Sequence, residues 1–155
     1  MATLTEDQKA VLNAEINNDP SGKGYAEMLP DRPGYVVDAI NAKAETKVGI
    51  INRTDLTIWA ASTGMRAVIE DVANDTQDPL RSSALAILDV LKGSSSGIDL
   101  SKPENADILT AWESFGKLSA TDKNAMIALA IQPASRAEIL GLPHITIESF
   151  LSRNQ

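Results

Sequence analysis

Cysteine is absent from the sequence, aromatic residues are scarce, and there is no long apolar run. Without cysteine the chain can form no disulfide, no thiolate nucleophile and no zinc site with cysteine ligands, which is compatible with a reducing compartment. The apolar stretches are too short to span a membrane. The N-terminal sequence MATLTEDQKA carries acidic residues where a signal peptide would need basic ones. We therefore expect neither a membrane span nor export.

Basic residues are also few. The chain has 14 Lys and Arg against 21 Asp and Glu, a net charge of −7, and residues 1–40 carry 3 basic and 7 acidic groups. The resulting field repels the phosphates of nucleic acids, and no basic cluster is interleaved with aromatic residues. These features predict a protein without sequence-specific nucleic acid binding.

Short aliphatic side chains are abundant. The hydrophobic fraction is 43% with only 4% aromatics, so the core is expected to consist mainly of Ala, Leu, Ile and Val. A length of 155 residues fits one domain. Helix caps and apolar periodicity predict an all-α fold, a single-domain bundle of about six to eight short helices. The clearest predicted helix starts are Thr5 to Gln8, Asp78-Pro79, Ser101 to Glu104 and Ser135 to Glu138.

Two segments interrupt the helical pattern. The first, TKVGIIN at 46–52, has β-branched residues around a single glycine and is either an extended link or a short edge strand, of which we favour the link. The second, KGSSSGID at 92–99, has the composition of a flexible linker. We expect this linker, over 93–100, to divide helical groups 1–92 and 101–142 of a single domain.

The C-terminal residues 143–155 form either a last short helix or an extended arm. Their apolar side chains either complete the core or dock onto a partner. A mobile segment can also become ordered on assembly, which makes the linker a second candidate contact. The candidate interface residues are Ile145, Ile147, Phe150 and Leu151 in the tail, with Gly93 and Gly97 in the linker.

The stretch SGKGYAEM invites comparison with a phosphate-binding loop. Such a loop requires Gly-Lys followed by Ser or Thr, with a strand before it and a helix after it. Here Gly24 takes the place of the hydroxyl residue, and the preceding element is a predicted helix. The pattern instead indicates a glycine-containing turn after a helix, from which Tyr25 and Met28 fold back onto the core.

No spacing of residues singles out a catalytic or metal site. His144 is the only histidine and has no serine and acid arranged around it in the sequence. The acidic stretch EDVANDTQD lacks the alternating oxygen ligands and central glycine of a calcium loop. Trp59 and Trp112 lie on apolar helical stripes, which favours a role as core anchors over ligand stacking. We predict no enzyme activity, no cofactor and no metal.

Both ends of the chain resemble a family of small proteins encoded by tailed bacteriophages. The N-terminal part matches the family pattern Leu-x-Ala/Thr-Glu-Ile, followed by Asp-Pro-x-Gly-x-Gly-Tyr-Ala. These positions are Leu12, Ala14, Glu15, Ile16, Asp19, Pro20, Gly22, Gly24, Tyr25 and Ala26. The C-terminal part matches Ser-Arg-Ala-Glu-x-x-Gly-Leu at Ser135, Arg136, Ala137, Glu138, Gly141 and Leu142. Residues 60–118 resemble the family only in being helical.

By analogy of size and class, this resemblance implies a head-tail connector, or neck adaptor. Such a protein forms a homo-oligomeric ring against the portal, contacts tail or neck proteins and surrounds the passing DNA. It would be found in the virion neck, and in the host cytoplasm during assembly. The alternative is a soluble, acidic phage-encoded modulator that binds and inhibits a host protein. A third, weaker hypothesis is a hydrolase, which would need a cleft lined by two carboxylates.

Overall fold

Short helices with a few very short strands among them make up the computed structural model, which describes residues 3–155. Within that range about 59% of residues are helical, in ten α-helices. The helices are α1 Glu6–Asn18, α2 Tyr25–Met28, α3 Pro33–Asn41, α4 Arg53–Ser62, α5 Met65–Asn74, α6 Arg81–Leu91, α7 Pro103–Ser114, α8 Ala120–Leu129, α9 Arg136–Ile139 and α10 Ile147–Leu151. A 3₁₀ turn, Ser152–Asn154, follows α10.

The prediction of an all-α fold is wrong, because the described residues also contain four strands. They are β1 Glu45–Val48, β2 Ile50–Asn52, β3 Gly97–Asp99 and β4 Ile131–Ala134. The strands form two antiparallel two-stranded sheets, β1 with β4 and β2 with β3. In the second sheet Ile51 pairs with Ile98. The preference for an extended link at 46–52 is also wrong, because that segment contributes to both β1 and β2. Its partner strands lie far away in the sequence and carried no strand signal of their own.

Two of the four named helix starts are confirmed and two are shifted. Thr5 forms a complete capping box with Gln8, and Ser135 forms one with Glu138. The predicted box at Ser101 is wrong, because the Ser101 hydroxyl donates to Asp99 Oδ1 at 2.6 Å and α7 starts at Pro103 instead. Similarly, α6 starts at Arg81 rather than at Asp78-Pro79. A favourable cap residue therefore marks the region of a helix start but not its position.

The chain divides into two compact units. The first consists of Met1–Lys47 and Pro133–Gln155, and the second of Val48–Gln132. The second unit includes the whole of 93–100, so the boundary does not follow the predicted division into groups 1–92 and 101–142. The chain passes from one unit to the other within β1 and within β4.

Each unit has its own apolar core. In the first unit, side chains from α1, α2 and α3 pack with the C-terminal segment; the largest buried ones are Leu12, Tyr25, Val36, Ile40, Ile145 and Phe150. In the second unit, Trp112 is the largest fully buried side chain, and Trp59 is buried in the same cluster. The prediction that both tryptophans anchor the core is confirmed.

Candidate functional site

A buried ion pair joins the two parts of the sequence on which the predicted phage-family resemblance depends. Arg136 Nε lies 2.9 Å from Glu15 Oε1, and Arg136 Nη2 lies 3.0 Å from Glu15 Oε2. The side chain of Glu15 is only 2% exposed and that of Arg136 18%. Hydrogen bonding to Glu15 raises the pKa of Arg136 above its usual value. This two-point contact between α1 and α9 spans 121 residues of sequence.

Further polar groups complete this ion pair. The Ser21 hydroxyl donates to Glu15 Oε1 at 3.2 Å, and the Tyr25 hydroxyl donates to the same oxygen at 3.4 Å. Burial, reinforced by the charge of Glu15, raises the pKa of Tyr25 to about 12. On the other side of Arg136, Nη1 lies 3.6 Å from Glu45 Oε2. We call Glu15, Ser21, Tyr25, Glu45 and Arg136, together with Lys23, the buried polar cluster.

The glycine-containing turn binds a carboxylate of the chain itself. Asp19 has a left-handed conformation, with φ +40°, and its carboxylate accepts hydrogen bonds of 2.7 Å from the N–H groups of both Lys23 and Gly24. Desolvation raises the pKa of Asp19, but these backbone hydrogen bonds outweigh that effect and hold it below its usual value. The N–H groups that a phosphate would need are therefore occupied, in agreement with the turn predicted from the sequence.

The buried polar cluster is suited to holding α1, α2 and α9 together rather than to catalysis. Both oxygens of Glu15 accept hydrogen bonds from within the cluster. Lys23 Nζ forms an ion pair with Glu45 Oε1 at 3.1 Å. This ion pair is the contact of that buried oxygen within the cluster, since the oxygen accepts no hydrogen bond from the described part of the chain. Among residues 3–155 no group of three or more His, Cys, Asp or Glu side chains is arranged to hold a metal ion. Over the same range, no helix is long and apolar enough to cross a membrane.

The tail predicted as an interface is folded in this structure. Of its two alternatives, helix or extended arm, the structure has the helix α10, which Thr146 caps. Ile145 and Phe150 are buried in the core of the first unit, so they are not available to a partner in this conformation. Ile147 and Leu151 remain exposed, at 36% and 56%. An interface role for the tail stays a prediction, carried by these two side chains.

The two linker positions favour glycine for different reasons: Gly93 is exposed but has a positive φ, and Gly97 lies against the backbone of a paired strand. Gly93 has φ +98°, and a Cβ there would lie 2.6 Å from Arg53 Nη1. Gly97 pairs with Asn52 in the second sheet, where a Cβ would lie 2.2 Å from the Ile51 carbonyl oxygen. Part of the segment predicted as a flexible linker is therefore strand β3. Its glycine allows two backbones to approach closely, and the composition of the segment alone does not reveal this pairing.

Gly97 also lines an apolar groove in the second unit, which we call the α6–α7 groove. Its volume is about 310 Å³, and apolar side chains from α6, β3, α7 and α8 form its walls; they include Ile87, Val90, Ile98, Ile108, Leu109 and Met126. Asp99, Lys102 and Asn105 lie among the polar residues at its edge. Sequence reasoning missed this groove, since its walls come from elements that are separated along the chain.

Four exposed aliphatic side chains flank a single backbone hydrogen bond of the second unit. The Gly49 N–H donates to the Ala130 carbonyl at 2.8 Å. The residues on either side of these two are Val48, Ile50, Leu129 and Ile131, which we call the aliphatic patch. From Leu129 a shallow groove of about 220 Å³ continues over Trp59 to the exposed Ile58. The second unit thus presents apolar surface in two places, this patch and the α6–α7 groove.

The chain matches no protein-family model, no curated protein and no solved structure. The resemblance to the phage family therefore stays a prediction that depends on the residues quoted above. The structure adds that several of those residues, from both ends of the chain, meet in or beside the buried polar cluster.

Proposed function

We propose that the protein is a structural component of a tailed-phage virion, a head-tail connector that assembles as a ring against the portal and links capsid to tail. The observation that carries this proposal is the aliphatic patch, with the groove that continues from it to Ile58. Apolar surface of this extent commonly marks a contact with another protein. A ring of identical copies can cover it by repeating one contact.

The charge of the chain supports the same role. The first unit carries 10 acidic and 7 basic residues, and the second carries 11 and 7. Both units are therefore net negative, and a ring built from them would repel DNA phosphates. Such a ring would let DNA pass without binding to it. The role requires no cofactor and no catalytic residue.

The division of charge also favours the connector over an acidic modulator of a host protein. A modulator that mimics nucleic acid would be expected to concentrate its acidic groups on one surface. Here the excess of acidic over basic residues is 3 in the first unit and 4 in the second, so neither unit carries it alone. The acidic excess is therefore shared between the two units.

Quantitative mass spectrometry of purified virions of the encoding phage tests the proposal. We expect the protein at a fixed, ring-like ratio to the portal, and we expect virions lacking it to have unattached tails. If the protein is absent from virions but abundant in infected cells, the connector proposal is wrong. Affinity capture with a host lysate would then test the modulator.

A further inference from the structure

We propose that α10 of one copy packs into the α6–α7 groove of a neighbouring copy. This inference rests on the proposed ring and names a contact between its copies that uses surfaces other than the aliphatic patch. The exposed face of α10 consists of Ile147, Glu148 and Leu151. Ile147 and Leu151 are four residues apart and Glu148 and Leu151 three apart, so all three side chains share one side of the helix.

The shape and lining of the α6–α7 groove suit the exposed face of α10. Two aliphatic side chains one helical turn apart are the anchors of a helix that binds in an apolar groove. The walls of the α6–α7 groove are mainly apolar and include Ile87, Val90, Ile98 and Ile108. Its volume of about 310 Å³ is at the lower end of the range for small-molecule pockets, roughly 300–1,000 Å³. We therefore favour a pair of side chains as its occupant over a large ligand.

Charge supports a second copy of this chain as the partner. Lys102 lines the groove and is exposed, and Glu148 is exposed on α10 beside Leu151, to one side of the two apolar anchors. Within residues 3–155 neither side chain forms an ion pair. Asp99, the acidic residue at the same edge, accepts hydrogen bonds from Ser101 N and Oγ. Lys102 is therefore the cation available to the carboxylate of an incoming Glu148.

The contact joins different surfaces on the two copies, since α10 and the groove belong to different parts of the sequence. A contact of this head-to-tail kind propagates from copy to copy and closes into a ring when its rotation allows. A symmetric contact would instead stop at a dimer. The proposed geometry is thus the kind that a connector ring requires.

A charge exchange tests the contact, because both side chains are exposed and neither substitution disturbs a core. Sedimentation velocity at low ionic strength would measure the association of the wild type, Lys102→Glu, Glu148→Lys and the double variant. We expect each single variant to associate about tenfold more weakly and the double variant to recover wild-type association. The pair Asp31→Lys with Lys47→Glu makes the same charge changes elsewhere on the surface, and we expect it to associate like the wild type.

Two results would overturn this inference. One is a wild-type oligomer that the single variants leave unchanged, or that the double variant fails to restore; another surface would then hold the ring, and the proposed function would stand. The other is a wild-type chain that stays monomeric at every concentration. In that case the copy number in virions decides separately whether the protein is a connector.

Discussion

Removing the charge of Arg136 provides the strongest test of the buried polar cluster. Arg136→Met keeps most of the length of the side chain but leaves the carboxylate of Glu15 without its cation. Breaking one partner of a buried ion pair costs about 3–5 kcal/mol of the free energy of unfolding. Because Arg136 is 18% exposed and Glu15 only 2%, we expect the lower end, about 3 kcal/mol. That is a large fraction of the roughly 5–15 kcal/mol typical of a folded domain.

Urea denaturation followed by circular dichroism measures this loss. Both tryptophans lie in the second unit, so their fluorescence reports that unit, whereas circular dichroism reports the helices of both. Arg66→Met is the matched control, because Arg66 pairs with Glu70 on the surface of α5, with both side chains about half exposed. Exposed pairs of this spacing contribute only about 0.3–0.5 kcal/mol.

A second substitution separates loss of the pair from loss of packing. Glu15→Gln removes the unpaired negative charge but keeps an oxygen that can accept hydrogen bonds from the hydroxyls of Ser21 and Tyr25. Added to Arg136→Met, it is expected to recover part of the lost stability. If Arg136→Met costs no more than Arg66→Met, or if the losses from the two cluster substitutions simply add, the ion pair does not hold the first unit together.

Three further predictions follow from burial, backbone geometry and charge. Phe150→Ala is expected to lower the free energy of unfolding by about 3–5 kcal/mol because the ring is fully buried, whereas the exposed Leu151→Ala changes it by less than about 0.5 kcal/mol in urea denaturation. Gly97→Ala is expected to lower the melting temperature through its clash with the paired strand, whereas Gly34→Ala, in open space on α3, leaves it unchanged or raises it. The pKa of Asp19 is lower in the folded protein than its ordinary value of 3.8, so the ionised carboxylate adds stability. This stability is complete above pH 3.8 and is lost as the pH falls through the folded-state pKa. Asp19→Asn is therefore expected to have a weaker dependence of stability on pH in that acidic range. An unchanged acid-denaturation profile in Asp19→Asn would contradict this assignment.

The burial of Phe150 also changes how the tail can be tested. A substitution that removes its ring would destabilise the first unit, so a loss of assembly would not by itself report on docking. Leu151 and Ile147 are the side chains that report on a contact without damaging the core. Of the four tail residues chosen from the sequence, only these two are suitable targets for mutagenesis of the interface.

Local signals in the sequence predicted part of the local structure, although the capping box at Ser101 does not form. The capping boxes at Thr5 and Ser135 form as expected, since a cap needs only residues three positions apart. The turn at Gly24 is likewise local, because the carboxylate that it binds comes from Asp19, five residues earlier. The strands were missed for the opposite reason: β4 contains Pro133 and directly follows a helix, and only pairing with β1 makes it a strand.

The sequence by itself determined the composition of the cores, the acidic charge and most of the helices, because those depend on residue type and short spacing. Only the tertiary structure decided that Glu15 and Arg136 meet in one buried cluster, and that β2 and β3 pair across a gap of more than forty residues. It also decided which tail side chains are buried and where the α6–α7 groove lies. Those features depend on how distant segments pack together, and such packing leaves no regular spacing in the sequence to be found in advance.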